Sequence, residues 1–358
     1  MEQQNGLRMI ECSGTDYEIG LQYGTAAREN LQKALSLLVA GLRMSPFRAD
    51  RDGVIACGRK YLSNVRAFDP SGIDRVQGVA DGAGVGFDEA FAIHCYTELV
   101  INYPYLAGMC TSFAATGPAT KGGITMIGQN IDWHPDTPLD LLRIRHSDGL
   151  EQVAITFFGN PCYSLTSAGI ANCANLTLAP MGPVRGHIPL SFYLFSAMRR
   201  KSFGDAFDIL RRCARGLGYY HLADAGGNLL GIESVYDGYT VLEPKQGVLV
   251  HANHYETHDY AKNDGAHEFI PDSYQRASRL RSMMEQHHGL LTPEIMMKLL
   301  ADHEGHPNSI CRHVDGTKPP EFASISKASF IMLPAERRLF ICAGPPCESQ
   351  YREYACLF

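Results

Sequence analysis

Apolar positions recur at helical spacing over residues 17–38 (YEIGLQYGTAARENLQKALSLL), over 75–79 running into Asp81, and over 87–101. This spacing predicts a helical first hundred residues. Between the last two stretches lies Gly82-Ala83-Gly84-Val85-Gly86, which has half the composition of a dinucleotide-binding fingerprint. No strand precedes it and no βαβ unit surrounds it, so the cluster reads as a turn between helices. The pattern changes near Tyr103-Pro104-Tyr105. From residue 111 to 179, short apolar runs punctuated by Gly, Pro, Asn and Asp predict strands, among them 124–132, 141–146, 152–158 and 169–178. Helices are expected at 190–200 and 203–215, and strands at 219–223, 229–235, 239–242 and 248–251. Helices follow at 273–287 and 293–302. A hairpin-like pair, 324–333 and 338–343, closes the chain around Pro334-Ala335-Glu336-Arg337.

Runs of strands broken by pairs of helices imply mainly antiparallel sheets covered by helices, an α+β fold and not an alternating βαβ one. With no internal repeat and no linker rich in Pro, Gly or Ser, residues 1–358 read as a single domain. Composition leaves this picture intact: 45% apolar and 20% charged residues are ordinary globular usage. A net charge of -6, from 38 acidic and 32 basic residues, weighs against nucleic acid as a partner, because that needs a basic footprint. No apolar run is long enough to span a bilayer, and the start MEQQNGLRMIECSGTDYEIG has no basic and apolar leader pattern. The expectation is a soluble, cytoplasmic protein with no membrane partner.

Candidate chemistry begins with the eleven cysteines, which are scattered, odd in number and nowhere spaced C-x-x-C. That argues against a disulfide framework and a zinc ribbon. Most are expected as reduced core thiols, with the question being whether one is a nucleophile. Fourteen histidines include the patches HANHYETH (251–258) and DHEGHP (302–307). Zinc hydrolases place H-E-x-x-H on one helix face; His303-Glu304-Gly305-His306 has the wrong spacing and sits among helix breakers. No metal ligand is assigned, and a metal-dependent amidase is retained only as an alternative of another class. Neither G-x-S-x-G nor G-x-x-x-x-G-K-[ST] occurs. There remains Cys110, which opens a strand just after a glycine and a helical segment. A second strand then delivers Asn130 and Asp132 ahead of Trp133, the only tryptophan. Two adjacent antiparallel strands would bring Asp132 near Cys110. The plain alternative is a cysteine that is merely buried.

Cys110-Thr111-Ser112-Phe113, followed by Gly128-Gln129-Asn130-Ile131-Asp132-Trp133, resembles the nucleophile region of the acyl-coenzyme A:6-aminopenicillanic acid acyltransferase family. That family includes isopenicillin-N acyltransferases and β-alanyl-dopamine hydrolases and belongs to the N-terminal-nucleophile (Ntn) hydrolases. Three more stretches resemble family elements in order and spacing: Leu249-Val250-His251-Ala252-Asn253-His254, Ser309-Ile310-Cys311-Arg312-His313 and Gly344-Pro345-Pro346-Cys347; Gly20-Leu21-Gln22-Tyr23-Gly24 also resembles the family's N-terminal helix. The resemblance implies a four-layer αββα sandwich. It also implies self-cleavage between Met109 and Cys110, giving segments 1–109 and 110–358 that stay together as a heterodimer, with a higher homo-oligomer left open.

By the same resemblance Cys110 is the nucleophile, with its new α-amine as base. Asn253 lines the oxyanion hole, Asp132 holds the α-amine, and Arg312 fixes Asp132 or binds substrate. Asn175 and Ser234 are candidate substrate contacts, the substrate being a small acyl amide or acyl thioester, with no cofactor. One residue departs from the pattern: the family usually has Gly directly before the nucleophile, and here Gly108 lies one residue earlier, with Met109 at the bond. A side chain there resists strained dihedrals that Gly accepts. This points to slow or incomplete cleavage, whose limit is an inactive Ntn-fold scaffold that does not mature.

Overall fold

The computed structural model describes residues 7–44, 48–100, 109–179, 184, 186–213 and 218–355. The Tyr103-Pro104-Tyr105 transition, Ile101, Gly108 and Cys356 lie outside the described residues.

The first described element is a strand, β1 (Met9–Gly14), where the sequence pattern predicts only helix. Its inward pair, Ile10 and Cys12, makes an alternation too short to register beside the helix that follows. The expected helix 17–38 is two: α1 (Asp16–Ala26), begun by a Thr15–Glu18 capping box, and α2 (Arg28–Met44), with Ala27 leaving helical geometry between them. Next come α3 (Arg51–Arg59), α4 (Leu62–Phe68), α5 (Pro70–Ala83), α6 (Phe87–His94) and α7 (Tyr96–Val100). Gly84, at φ +69°, ends α5 and Gly86 caps α6, so the glycine cluster is a turn.

Helices α1 and α5 meet backbone to backbone through Gly20 and Gly24 on one side and Gly78 and Gly82 on the other. A Cβ on Gly78 would lie 2.1 Å from the Tyr17 carbonyl oxygen, and one on Gly20 2.1 Å from that of Arg75. No residue with a side chain fits this crossing, which explains the G-L-Q-Y-G spacing at 20–24.

Two sheets form the centre. The larger runs β1, β4 (Leu141–His146), β5 (Glu151–Phe157), β6 (Asn160–Thr166), β7 (Ile170–Asn175), β8 (Gly218–Asp224), β9 (Leu229–Val235) and β10 (Gly238–Leu242) in spatial order. Only β1 and β4 pair in parallel. The smaller sheet is antiparallel throughout, in the order β11 (Val248–His251), β2 (Met109–Ala115), β3 (Met126–Trp133), β12 (Ile325–Leu333), β13 (Arg338–Ala343) and β14 (Arg352–Ala355).

Helices α8 (Leu190–Met198) and α9 (Phe203–Cys213) cover the larger sheet; short α10 (His258–Ala261) and α11 (Ala266–Phe269) lead to α12 (Asp272–Gln286) and α13 (Pro293–Leu300), which cover the smaller one. The sheets face each other where β2 and β3 meet β7, making an αββα stack, as the resemblance implied. Strands β6 and β14 were not foreseen: β6 begins Asn-Pro and mixes polar with apolar residues, and β14 is a charged edge strand.

The pleat of β2 divides its side chains between two cores. Ala114 joins the core shared with the larger sheet, whereas Phe113 and Ala115 join the core against α12 and α13. By this parity Cys110 faces the larger sheet.

Gly78→Ala is expected to force α1 and α5 apart and destabilise the protein by about 1–3 kcal/mol. Denaturant unfolding of the purified variant checks this; an unchanged midpoint would show that the crossing has slack.

Candidate active site

Cys110 stands at the start of β2, in register with Ile131, while Met109 pairs with Asp132. Because successive side chains point to opposite faces, the Cys110 sulfur and the Asp132 carboxylate lie on opposite sides of the small sheet. The sulfur borders a narrow, mainly apolar recess between the sheets, lined also by Trp133, Phe157, Tyr163, Asn175 and Leu190. Trp133 is held there edge-on against Phe157, with ring centroids 4.8 Å apart.

The other side of Cys110 is polar and largely buried. Its backbone N–H donates to Asn253 Oδ1 at 3.0 Å, and its carbonyl accepts from Arg276 Nη1 at 2.6 Å. Arg276 also donates to Thr111 Oγ1 (2.7 Å), Asn253 Oδ1 (2.8 Å) and Asp272 Oδ2 (2.7 Å). Asp272 accepts a second guanidinium, Arg312, whose Nε lies 3.6 Å from Asp132 Oδ2. Ser326 completes the ring by donating to Asp132 Oδ1 at 2.6 Å and accepting the Arg312 backbone N–H at 2.9 Å. Two carboxylates and two guanidiniums thus alternate, and only balanced pairing makes such charges tolerable in the interior. Arg276 and Arg312 are each 1% exposed.

Burial sets the acidities. It pushes the Cys110 thiol up to about 12, helped by the negative charge of Asp132, against the Asp132 backbone N–H and both arginines. It pushes Asp132 up to about 6, with Arg312 and Arg276 pulling the other way. For Asp272 burial also raises the pKa, but the two arginines outweigh it and the net shift is downward.

The structure therefore brings Cys110, Asp132, Asn253 and Arg312 into one network. Asn253 meets the Cys110 nitrogen through its oxygen, while its Nδ2 donates to the Leu176 carbonyl at 2.9 Å. Asn175 lines the recess and donates to the carbonyls of His251 (3.0 Å) and Ala252 (2.8 Å). Ser234, on β9, is not among the residues lining the recess; its carbonyl accepts from Tyr255 Oη at 2.7 Å. Asn130 serves a different purpose, tying the carbonyls of Leu300 and Ile310 to β3. Sequence reasoning missed Arg276 and Asp272. Their i,i+4 spacing on an expected helix was the available signal, but such pairs usually face solvent. In the histidine patch 251–258, His251 pairs with Glu233 at 2.9 Å and stacks on Tyr219, and His254 bonds Ser273 at 2.8 Å.

The model of the family described as acyl-coenzyme A:6-aminopenicillanic acid acyl-transferase matches residues 119–348, a span that begins downstream of Cys110 and includes Asp132, Asn175, Ser234, Asn253 and Arg312. The chain is similar to the acyl-coenzyme A:6-aminopenicillanic-acid-acyltransferase 40 kDa form of Emericella nidulans, with 24% identity over 315 residues, covering 85% of this chain and 84% of that protein. Among solved structures it is similar to a mutant conjugated bile acid hydrolase from Clostridium perfringens, at 11% identity and a TM-score of 0.45, over 68% of this chain and 96% of that one. A penicillin V acylase from Agrobacterium tumefaciens gives 14% identity and a TM-score of 0.45, over 65% and 83%. These structural likenesses are too slight to bear on mechanism.

A thiol pushed up by burial yields little thiolate at neutral pH, because the charged form is the one burial disfavours. In uncut native protein at pH 8, iodoacetamide is expected to label Cys110 at least about a hundredfold more slowly than in the same protein unfolded in urea. The native rate should keep rising as pH approaches 12. Peptide mass spectrometry reads both, and equal native and unfolded rates at pH 8 would contradict the burial.

Proposed function

The chain belongs to the acyl-coenzyme A:6-aminopenicillanic acid acyltransferase family, and from that premise we propose that it is a self-activating cysteine amidohydrolase or N-acyltransferase working through an acyl-enzyme. The observation that carries this reading is the environment of Cys110. Its sulfur borders an apolar recess, while Asn253 and Arg276 grip its backbone nitrogen and carbonyl from the other side. That arrangement suits a residue which becomes a chain terminus and must not move when it does.

In the uncut chain the Cys110 nitrogen is an amide and cannot act as a base. Activation starts with attack of the Cys110 sulfur on the Met109 carbonyl carbon. The Met109–Cys110 C–N bond breaks, the nitrogen takes up the thiol proton, and Met109 is carried as a thioester. Water then adds to the thioester, releasing Met109 as a carboxylate and restoring the thiol on an N-terminal Cys110. The new α-amine titrates at about 7.7–8.0, so a useful share is unprotonated at neutral pH.

In turnover this amine takes the thiol proton and the sulfur attacks the acyl carbonyl. The proton passes to the departing amine or thiol, and water or an acceptor amine releases the acyl group. Asn253 Oδ1 holds the amine, and its Nδ2, which donates to the carbonyl of Leu176, a residue lining the recess, is the donor assigned to the oxyanion. Asp132 offsets positive charge on the amine, and Arg312 keeps Asp132 in place. Asn175 contacts the substrate amide from the wall. Ser234 is assigned an indirect part, anchoring Tyr255. Trp133, Phe157 and Leu190 favour a small, largely apolar acyl group. The two segments remain one domain, a heterodimer by covalent count. Ten free cysteines among the described residues suit a reducing compartment, and the cytoplasm is the proposed location.

Cys110→Ala is expected to abolish both cleavage and turnover while the protein stays folded. Active wild type should contain pieces of 109 and 249 residues out of 358. Their turnover should rise with pH as the amine loses its proton, through about 7.7–8.0. Denaturing mass spectrometry beside an assay on N-acyl amino acids, β-alanyl amines and penicillins reads these outcomes. Full activity from wholly uncut protein would overturn the mechanism. Asn253→Ala is expected to lower kcat by about 10²–10³, the effect of losing one oxyanion donor; kcat unchanged in a folded variant would remove it from that role.

A further inference from the structure

Four side chains from three separate stretches converge beside the segment that carries Arg312. His303 follows α13, Cys311 and His313 flank Arg312, and Cys347 follows β13. One ligand-capable atom from each lies within 4.8 Å of all the others. His303 Nε2 and His313 Nε2 are 3.1 Å apart, Cys311 Sγ and Cys347 Sγ 3.5 Å, and His313 Nε2 is 3.6 Å from Cys311 Sγ and 3.4 Å from Cys347 Sγ.

These separations can be compared with those a bound ion would require. Zinc–sulfur bonds of about 2.3 Å and zinc–nitrogen bonds of about 2.0–2.1 Å at tetrahedral angles give edges of roughly 3.3 Å for N···N, 3.5–3.6 Å for N···S and 3.8 Å for S···S. Each of the four measured edges lies within about 0.3 Å of its ideal. A disulfide between Cys311 and Cys347 would need about 2.05 Å, and both thiols are free. The Glu348 carboxylate lies 3.7 Å from His313 Nδ1, the outer nitrogen that metal-binding imidazoles commonly direct at a carboxylate.

We propose that His303, Cys311, His313 and Cys347 form a Cys₂His₂ site for a single zinc ion, which staples the segment presenting Arg312 to the end of β13. Binding deprotonates the two thiols and releases both protons to solvent. Two thiolates and two neutral imidazoles then leave the occupied site electrically neutral. Four protein ligands leave no open position, so the ion is structural and the Cys110 reaction does not pass through it.

The fold supplies the reason for a staple. Residues 301–324, between α13 and β12, contain only one short 3₁₀ turn, at Pro320–Phe322, and unsupported connections of that length are uncommon. The sequence assigned no ligand here because neither histidine patch has metal spacing by itself. The four residues become a set only when β13 returns beside the loop.

The test uses reduced full-length protein. After dialysis it should retain about one zinc per chain by elemental analysis. Once stripped, it should take up one equivalent of Co²⁺ with thiolate-to-cobalt charge-transfer absorption. Cys347→Ser and His303→Ala change surface positions and should keep the far-ultraviolet circular dichroism. Each is expected to weaken Co²⁺ binding by more than about tenfold, whereas Cys57→Ser should leave it unchanged. Chelation should lower the melting temperature of the wild type by about 2 °C or more, but not that of Cys347→Ser. Absence of stoichiometric zinc and cobalt in folded, reduced protein would overturn the site. So would binding unaffected by both ligand substitutions, or a Cys311–Cys347 disulfide in protein purified without oxidant. None of these results depends on whether Met109–Cys110 is cut.

Discussion

A single buried guanidinium organises the centre of this protein. Arg276 donates to the Cys110 carbonyl, Thr111 Oγ1, Asn253 Oδ1 and Asp272, and so ties the start of β2, the end of β11 and helix α12 into one unit. Its guanidinium presents several N–H donors in a rigid fork, away from water. Every acceptor around it is therefore obligatory, and removing one member of a buried ion pair typically costs about 3–5 kcal/mol. Asp272 passes the constraint to Arg312, and Arg312 passes it to Asp132.

This constraint separates the two sides of Cys110. The strand pleat sends its sulfur into the recess between the sheets, while its backbone N–H is held by the Asn253 amide and its carbonyl by the Arg276 guanidinium. The sulfur and the groups that fix its backbone thus have separate surroundings, one apolar and one polar. A sulfur in an apolar recess is a poor thiolate by itself, which makes a nearby base necessary for chemistry at neutral pH. The nitrogen that the polar side holds at Asn253 Oδ1 is where such a base arises in the proposed mechanism.

The irregular segment after α13 is connected to the same network. Its Arg312 enters the interior, while its neighbours Cys311 and His313 meet His303 and Cys347 on the outer side. Asn130 adds a tie from β3 to the Leu300 and Ile310 carbonyls at 2.9 and 2.8 Å. A loop with little secondary structure is thus held from both sides. That matters because the guanidinium it carries must balance two carboxylates.

Much of the fold was legible from local pattern. Strands β4, β9, β11 and β13 have the boundaries that alternation and turn residues predict, and helices α12 and α13 differ only at their ends. The candidate residues that fall in stretches resembling the family, Cys110, Asp132, Asn253 and Arg312, are ones the structure brings into one network. Periodicity could not find β1, whose parallel partner β4 lies more than a hundred residues away, or β6, whose polar residues are buried by neighbours on both sides. Nor could it find Arg276, since an Asp and an Arg four apart on a helix look the same in sequence whether they face water or a strand. The opposition of Cys110 and Asp132 across the sheet, and the convergence of two histidines with two cysteines, were likewise decided by tertiary packing. Sequence by itself offered the candidates, Cys110 and Asp132 from local spacing and Asn253 and Arg312 through the family resemblance, because motifs are properties of neighbours along the chain. Which of them face each other depended on strand pairing and burial, which act between residues far apart in it.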